Sequence, residues 1–484
     1  MSALKSFFKD TVVYGIAAVL PRFINLALVA VFTSVLGKAD FSDQTTWYVY
    51  AAFINVFLTM GIETAFFRYY TSEQDKGKVI SSAFAILLAT SLLFLIFGWI
   101  LAGYATESLG FKDALFVKIL VWITVLDTLA VIPFAYLRVT GRPIRFMLIK
   151  LTNITVLFIV TLFLLLMLPD LTPKYIDIFR IFGIKSDYKP GVIHIISANL
   201  VSSLITLLFL FPEMIKIKWS IDKTLIKKLL QYGWPIMVGG IAYAINENMD
   251  KLLIQHLIDK DSNGVYAACY KLGVFMSLYI TAFRMGAEPF FFNHAHTDDA
   301  KKKYSIIMTW FVIFGCFSML FVTVFIDLLA GLFIRNPIYL EGLFIVPVIL
   351  LANLFSGIYN NLAIWYKLTD RTRFGMYISI LGAVLTIVCL LVFVPVLGIM
   401  GGAVATLFTY SSMAIISWYL GHTYYPVPYE LTKIFLLISI TIFLSALSFI
   451  YFRGHIIISC LTLCILGAVV YFVERKNLHP FIRL

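Results

Sequence analysis

A chain of 484 residues that is 61% hydrophobic and only 13% charged, with a mean hydropathy of +0.93, lies outside the range of soluble domains, which are near half apolar and about a quarter charged. Its net charge of +12 raises nucleic acid as a partner. The basic residues, however, cluster in alternate loops between apolar runs, which is the mark of membrane topology, and nucleic acid is excluded on that ground. Apolar runs of about eighteen residues or more recur along the whole length, each able to span a hydrocarbon core of ~30 Å. The chain reads as an all-α polytopic membrane protein.

The opening MSALKSFFKD is a short basic amphipathic lead-in that runs into a full-length apolar segment without a small-residue cleavage site. It reads as a retained first helix. Typical span lengths then predict about fourteen transmembrane helices, at 10–36, 44–69, 79–104, 113–138, 146–168, 192–212, 230–257, 264–291, 304–333, 342–366, 374–395, 399–420, 431–452 and 455–473. One set of alternate loops holds the basic residues, among them Lys76 and Lys78, then Arg138, Arg142, Arg145 and Lys150, then Lys301 to Lys303, then Arg371 and Arg373. That bias places both termini in the cytoplasm, and an even number of spans agrees. The membrane expected is the cytoplasmic (inner) membrane. The five cysteines, Cys269, Cys316, Cys389, Cys460 and Cys464, fall in apolar segments with no disulfide framework and no metal-ligand spacing. They read as packing residues.

Two loops stand apart. KIKWSIDKTLIKKLL (216–230) mixes lysines with Leu225 and Leu229 at helical spacing and is expected on the anionic inner leaflet. KYIDIFRIFGIKSDY (174–188) is expected to lie similarly on the outer face. The two halves also match. DTVVYG (10–15) answers KLLQYGWP (228–235), GIETAFFRYY (61–70) answers GAEPFFFNHA (286–295), and AYLRVTGRPIRF (135–146) answers IWYKLTDRTRF (364–374). An offset of about 220–230 residues and six spans per copy predict parallel repeats related by an axis along the membrane normal. The expected organisation is an N-lobe at 1–212, an interfacial linker helix at 213–229, a C-lobe at 230–422 and an appended pair of spans with a cytoplasmic tail at 423–484. A substrate path would lie between the lobes.

Charges inside the bilayer cost at least ~2.5–3.5 kcal/mol each on insertion scales and normally face a cavity or a partner. Arg22, Glu63, Asp127, Glu247, Asp250, Lys251, Arg284, Glu288 and Asp327 all fall within predicted spans. In INENMDKLL (245–253), Asn246 stacks with Asp250 and Glu247 with Lys251 at i,i+4. This stripe is either a self-neutralised packing patch or a cavity wall for a polar cargo. Pro235, Gly239 and Gly240 upstream can bend the same span. Arg22, with Asn25 beside it in LPRFINLAL, sits half-way along the first span. Its guanidinium suits phosphate or carboxylate, or else an ion pair with Glu247 or Asp250. Arg284 has Glu288 one turn away, so an intrahelical pair competes with ligand binding. Glu63 and Glu288, near the inner ends of equivalent spans, are candidates for proton or cation coupling and equally for helix capping. Asp127 and Glu247 join them as coupling candidates, with Asp127 either protonated or bonded to Thr124 or Thr128.

Soluble chemistries are missing. No phosphate-binding G-x-x-x-x-G-K-[ST] loop and no nucleophile–base constellation occur. HAH at 294–296 reads as a solvated span end. The chain is not expected to be an enzyme, to hold a metal or to need a cofactor, with Na+ or H+ as the coupling ion if one is used.

Three stretches, DTVVYGIAAVLPRFINLALVAVFTSVLGKADFSD, TMGIETAFFRYY and NMDKLLIQHLIDKDSNGVYAACYKLG, resemble the polysaccharide or oligosaccharide flippase family of the MOP (multidrug/oligosaccharidyl-lipid/polysaccharide) exporter superfamily. In the last stretch the resemblance rests on Asp250, Lys251, Leu252, Leu253 and Ile254, followed by Gly264, Tyr266, Ala268 and Lys271. It implies a MATE-like arrangement of twelve core helices in two lobes. It also implies alternating access to move a polyprenyl-pyrophosphate-linked oligosaccharide, with membrane lipids and other polysaccharide assembly proteins as further partners. Related lipid II flippases carry an additional Arg–Asp pair later in span one, where this chain has LALVAVF. A cation-coupled drug exporter, with a cavity rich in carboxylates, and a non-transporting scaffold, with every interior charge paired, are the rival readings.

Overall fold

The structure is a computed structural model and describes residues 2–175, 188–217, 219–294, 297, 299–369 and 371–478. The segment expected on the outer face falls almost wholly outside the described residues, as do residues 295–296 of HAH. All regular structure among the described residues is helical. Two compact units divide the chain, Met1–Asn248 and Met249–Leu484.

Unit 1 holds α1 (Ser2–Val35), α2 (Lys38–Thr59), α3 (Ile62–Ser72), α4 (Lys76–Ile100), α5 (Ala102–Ser108), α6 (Ala114–Val139), α7 (Pro143–Leu171), α8 (Val192–Ile215) and most of α9 (Lys223–Leu257). Aspartates start three of these helices by accepting backbone N–H groups of the first turn. Asp75 takes Lys78 at 3.1 Å, Asp113 takes Leu115 at 2.9 Å and Asp222 takes Thr224 at 2.8 Å. The central helix is α6, packed against α2, α4, α5 and α8, while α7 lies between α1 and α8.

Between α2 and α3 the backbone turns left-handed at Met60 (φ 49) and Gly61 (φ 67). A Cβ on Gly61 would sit 2.5 Å from the carbonyl oxygen of Gly233, and one on Gly233 would sit 2.4 Å from that of Met60. Helix α9 therefore crosses this break backbone against backbone, which only glycine permits. Just upstream, Leu225 and Leu229 are buried in one cluster with Ile62, Phe66 and Leu87. The N–H groups of Ser220 and Asp222 donate to Ser81 at 3.0 Å and Ser82 at 3.2 Å. The apolar face expected on the inner leaflet is thus covered by protein, while Lys223, Lys227 and Lys228 stay exposed.

Unit 2 takes the end of α9, then α10 (Lys260–Tyr270), α11 (Val274–Asn293), α12 (Ala300–Val324), α13 (Ile326–Phe333), α14 (Val346–Leu362), α15 (Ile364–Leu368), α16 (Arg373–Leu397), α17 (Ile399–Tyr424), α18 (Leu431–Tyr451) and α19 (Ile456–Leu478). Here α12 packs against α11, α14 and α18, α17 packs against α14 and α16, and α19 lies on α18.

Twelve stretches among the described residues are long and apolar enough to cross a membrane, against an expected fourteen. The two expected spans outside that set are 10–36 and 230–257. In α1 only Val19–Val35 counts as apolar helix among the described residues. In α9 the helix is 35 residues long, but its Gly–Trp–Pro stretch and the polar residues from 246 to 251 lower its hydropathy. Large apolar side chains such as Ile100, Val396, Ile457 and Phe472 are 70% exposed or more. Outward-facing hydrocarbon on helices that are apolar all round is what a lipid solvent selects.

Candidate functional site

Four helices of unit 1 enclose a polar cavity of about 350 Å³. Glu63 comes from α3, Asp127 and Arg138 from α6, Lys150 and Asn153 from α7, and Asn199, Ser203 and Thr206 from α8. The Ser203 hydroxyl donates to Asp127 Oδ1 at 2.8 Å. Asn153 Nδ2 donates to Thr206 Oγ1 at 2.8 Å and to Ser202 Oγ at 3.3 Å, and Asn199 Nδ2 donates to the Tyr48 hydroxyl at 2.8 Å. Lys150 is exposed to the cavity, its Nζ 4.3 Å from the centre of the Phe134 ring. That is an electrostatic contact, but it leaves the ammonium N–H groups without an acceptor among the described residues. Phe134 and Phe146, edge to face at 5.3 Å, form the apolar wall.

Two expectations change here. Asp127 bonds neither Thr124 nor Thr128, whose hydroxyls instead close onto the carbonyls of Leu120 and Thr124 on their own helix. Lys150, assigned to a cytoplasmic loop, lies within α7, because Pro143 starts that helix well before the apolar run begins. Sequence reading also passed over Asn153, Asn199, Ser203 and Thr206. The signal was present as spacing. Asn199, Ser203 and Thr206 recur at i, i+4 and i+7, and Lys150 and Asn153 at i, i+3, so each set shares one helical face.

At the cavity rim Arg138 Nη1 donates to Glu63 Oε1 at 3.2 Å, with both side chains about half exposed. The second copy repeats the arrangement at matching positions. Lys367 on α15 donates to Glu288 Oε1 on α11, and Arg284 Nη2 stands 3.8 Å from the same oxygen. Glu63 and Glu288 are thus ion-paired, and Arg284 shares its partner with a second cation.

On α9, Asn246, Asp250 and Lys251 are buried. Lys251 Nζ lies 2.8 Å from Asp250 Oδ1 and 3.0 Å from Oδ2, and 3.7 Å from the centre of the Tyr270 ring. The Tyr266 hydroxyl donates to Asp250 Oδ2 at 2.7 Å. A buried carboxylate and ammonium so satisfied form a neutral knot that ties the end of α9 to α10. Glu247 and Asn248 are partly buried, with Asn248 donating back to the Ala244 carbonyl at 3.2 Å.

Arg22 and Asn25 are exposed on α1. Asp327, placed inside a span by sequence, instead opens the short helix α13 and forms a forked pair with Arg453, at 2.6 to 3.0 Å. No group of three His, Cys, Asp or Glu suited to a metal occurs among the described residues.

The polysaccharide biosynthesis protein family model matches residues 7–294, well over half of the chain, and the MatE family model matches residues 235–392. The uncharacterized membrane protein MJ1375 of Methanocaldococcus jannaschii is 24% identical over 375 residues, which make up 75% of this chain and 85% of that one. Among solved structures, the lipid II flippase MurJ in an inward closed conformation superposes with a TM-score of 0.72 at 15% identity, covering 95% of this chain and 99% of the other. A multidrug resistance MATE family transporter of the MOP superfamily, inward-facing, gives 0.67 at 14% identity over 86% and 97%. At such identities the likeness is one of fold.

Proposed function

The chain belongs to the polysaccharide biosynthesis protein family, within the MOP superfamily of membrane transporters and flippases, and on that premise we propose that it flips polyprenyl-pyrophosphate-linked oligosaccharide across the cytoplasmic membrane. The cargo in this reading is the repeat unit of an O-antigen, capsule or exopolysaccharide. The observation that carries it is the polar cavity of unit 1, which lies wholly within the matched segment. A glycan cannot enter hydrocarbon because its hydroxyls would lose their water partners. Polar groups inside a helical bundle replace those partners while the prenyl tail stays in the bilayer. Arg22 and Asn25, exposed on α1, are the groups assigned to the pyrophosphate. Asn246, Asp250 and Lys251 anchor α9 from within. Both termini are cytoplasmic by the loop charges. Outward movement of negative charge then runs with an inside-negative potential, which contributes ~2.3 kcal/mol per charge per 100 mV. Other polysaccharide assembly proteins would deliver and receive the cargo.

The second reading is cation-coupled export. It is favoured by Asp127, a carboxylate in the cavity with one hydroxyl partner, and by the MatE match. Coupling by Na+ or H+ at Asp127 is compatible with either cargo. The fold likeness to MurJ makes lipid II the cargo to exclude first.

The deciding experiment is a proteoliposome assay with fluorescent polyprenyl-pyrophosphate oligosaccharide, read by quenching from outside, beside lipid II and a cationic drug. We expect flipping of the oligosaccharide lipid by the wild type and loss of most of it in Arg22→Ala. Drug efflux without lipid flipping would install the exporter reading, and flipping of lipid II alone would replace the cargo.

A further inference from the structure

We infer that Lys150 is the built-in counter-ion of Asp127, a tethered ammonium that stands where a metal cation would bind and closes the cavity of unit 1 to Na+; this rests on the transporter reading and narrows the ion that Asp127 can couple. By its oxygens alone the cavity would suit a hard cation. Asp127, Asn153, Asn199, Ser203 and Thr206 line it from three helices, α6, α7 and α8. Carboxylate, amide and hydroxyl oxygens are the ligands such ions take.

Charge decides against the ion. The ionisable side chains on the cavity lining are Glu63 from α3, Asp127 and Arg138 from α6, and Lys150 from α7, while α8 contributes only neutral groups. Arg138 donates to Glu63 at 3.2 Å, which matches one cation with one carboxylate. Asp127 is left with the Ser203 hydroxyl at 2.8 Å and with the field of Lys150. That ammonium is held by the Phe134 ring and by the attraction of Asp127 and Glu63, with no direct ion pair among the described residues. The carboxylates and cations therefore balance as they stand. An added Na+ would leave positive charge uncompensated beside the apolar rings of Phe134 and Phe146, where like charges repel far more strongly than in water. Lysine suits such a post, being a compact point charge on a flexible stem.

The test measures saturable binding of radiolabelled Na+ to the full-length chain in lipid nanodiscs, with choline holding the ionic strength constant. In the wild type, Asp127→Asn is expected to leave Na+ binding unchanged, because no Na+ sits at Asp127. Lys150→Met removes the charge and should create a site at least about tenfold tighter than any the cavity of the wild type offers. Lys150→Arg keeps the charge and should create none, and adding Asp127→Asn to Lys150→Met should abolish the new site. Gel filtration reports whether each variant folds, and Lys150→Gln replaces the methionine variant if that one does not. Wild-type Na+ binding that Asp127→Asn abolishes, a folded Lys150→Met or Lys150→Gln without a new site, or a new site that survives Asp127→Asn would overturn the inference. If the lipid-linked oligosaccharide is flipped beside such a result, the counter-ion falls and the flippase reading stands. If the Na+ results hold but no lipid is flipped, the reverse is true.

Discussion

Arg138 donates to Glu63 at 3.2 Å, and the matched positions of the second copy hold Lys367 against Glu288. One pairing of a glutamate with a cation has been built twice, with the guanidinium of the first copy replaced by an ammonium in the second. In each copy the glutamate belongs to the span before the loop and the cation to the span two further on. The pair ties the inner ends of two helices together.

Because the Glu63 and Arg138 side chains are about half exposed, their link should be weak. A double-mutant cycle of Glu63→Gln and Arg138→Gln, read by thermal unfolding in detergent, should give a coupling of about 0.2–1 kcal/mol. A coupling several times larger would mean that the pair is effectively buried in the membrane-embedded state. Lys367→Arg should be tolerated, since the first copy already uses arginine at that place.

The knot of Asp250, Lys251 and Tyr266 should behave oppositely. Its carboxylate and ammonium are buried, so removing one partner strands the other. Asp250→Leu or Lys251→Met alone should cost about 3–5 kcal/mol, and the double variant should recover most of it. Tyr266→Phe should cost about 1–3 kcal/mol by leaving an acceptor short of a donor. Thermal melts of purified variants give the comparison. A Lys251→Met protein of full stability that has lost transport would move Lys251 from anchor to cargo contact.

Two glycines of one helix should respond differently to the same substitution. Gly233→Ala puts a methyl 2.4 Å from the Met60 carbonyl oxygen and should abolish folded protein or lower its melting temperature sharply. Gly239 has nothing within 4 Å of an added Cβ, so Gly239→Ala should be neutral or stabilising by up to ~1 kcal/mol through helix propensity. Fluorescence-detected gel filtration separates the two outcomes.

A pH effect follows from the start of α9. Backbone N–H groups of Leu225 and Thr224 hold the Asp222 carboxyl below its ordinary range. A carboxyl depressed on folding stabilises above its unfolded pKa, about 3.9, and loses that contribution as pH falls through the folded value. The melting-temperature gap between wild type and Asp222→Ala should therefore be constant from neutrality down to about pH 4 and close below it. A gap that widens on acidification would contradict the capping geometry.

The helices were legible in the sequence because an apolar run long enough to cross hydrocarbon has few other uses. The cavity was not. Hydropathy is read along the chain, whereas Asp127 meets Ser203 across 76 positions, and Asn199 meets Tyr48 across 151. Each polar residue taken singly looks like tolerated noise in an apolar helix. Lys150 was hidden for another reason: a lysine near the start of a run counts toward topology, and only the turn of α7 carries it round to the inside. Glu63 and Glu288, set at equivalent positions by the sequence, each hold a cation from further along the chain, Arg138 and Lys367.

Asn248 and Met249, where the border between the two compact units falls, are consecutive residues of one unbroken helix. A cut there would strip the helical partners from peptide groups on both sides of the break. Reassembly from two co-expressed fragments should thus succeed only with the break ahead of Lys223. The shared rod must be inherited whole by one fragment, so the functional halves of this molecule are not the halves a restriction map would choose.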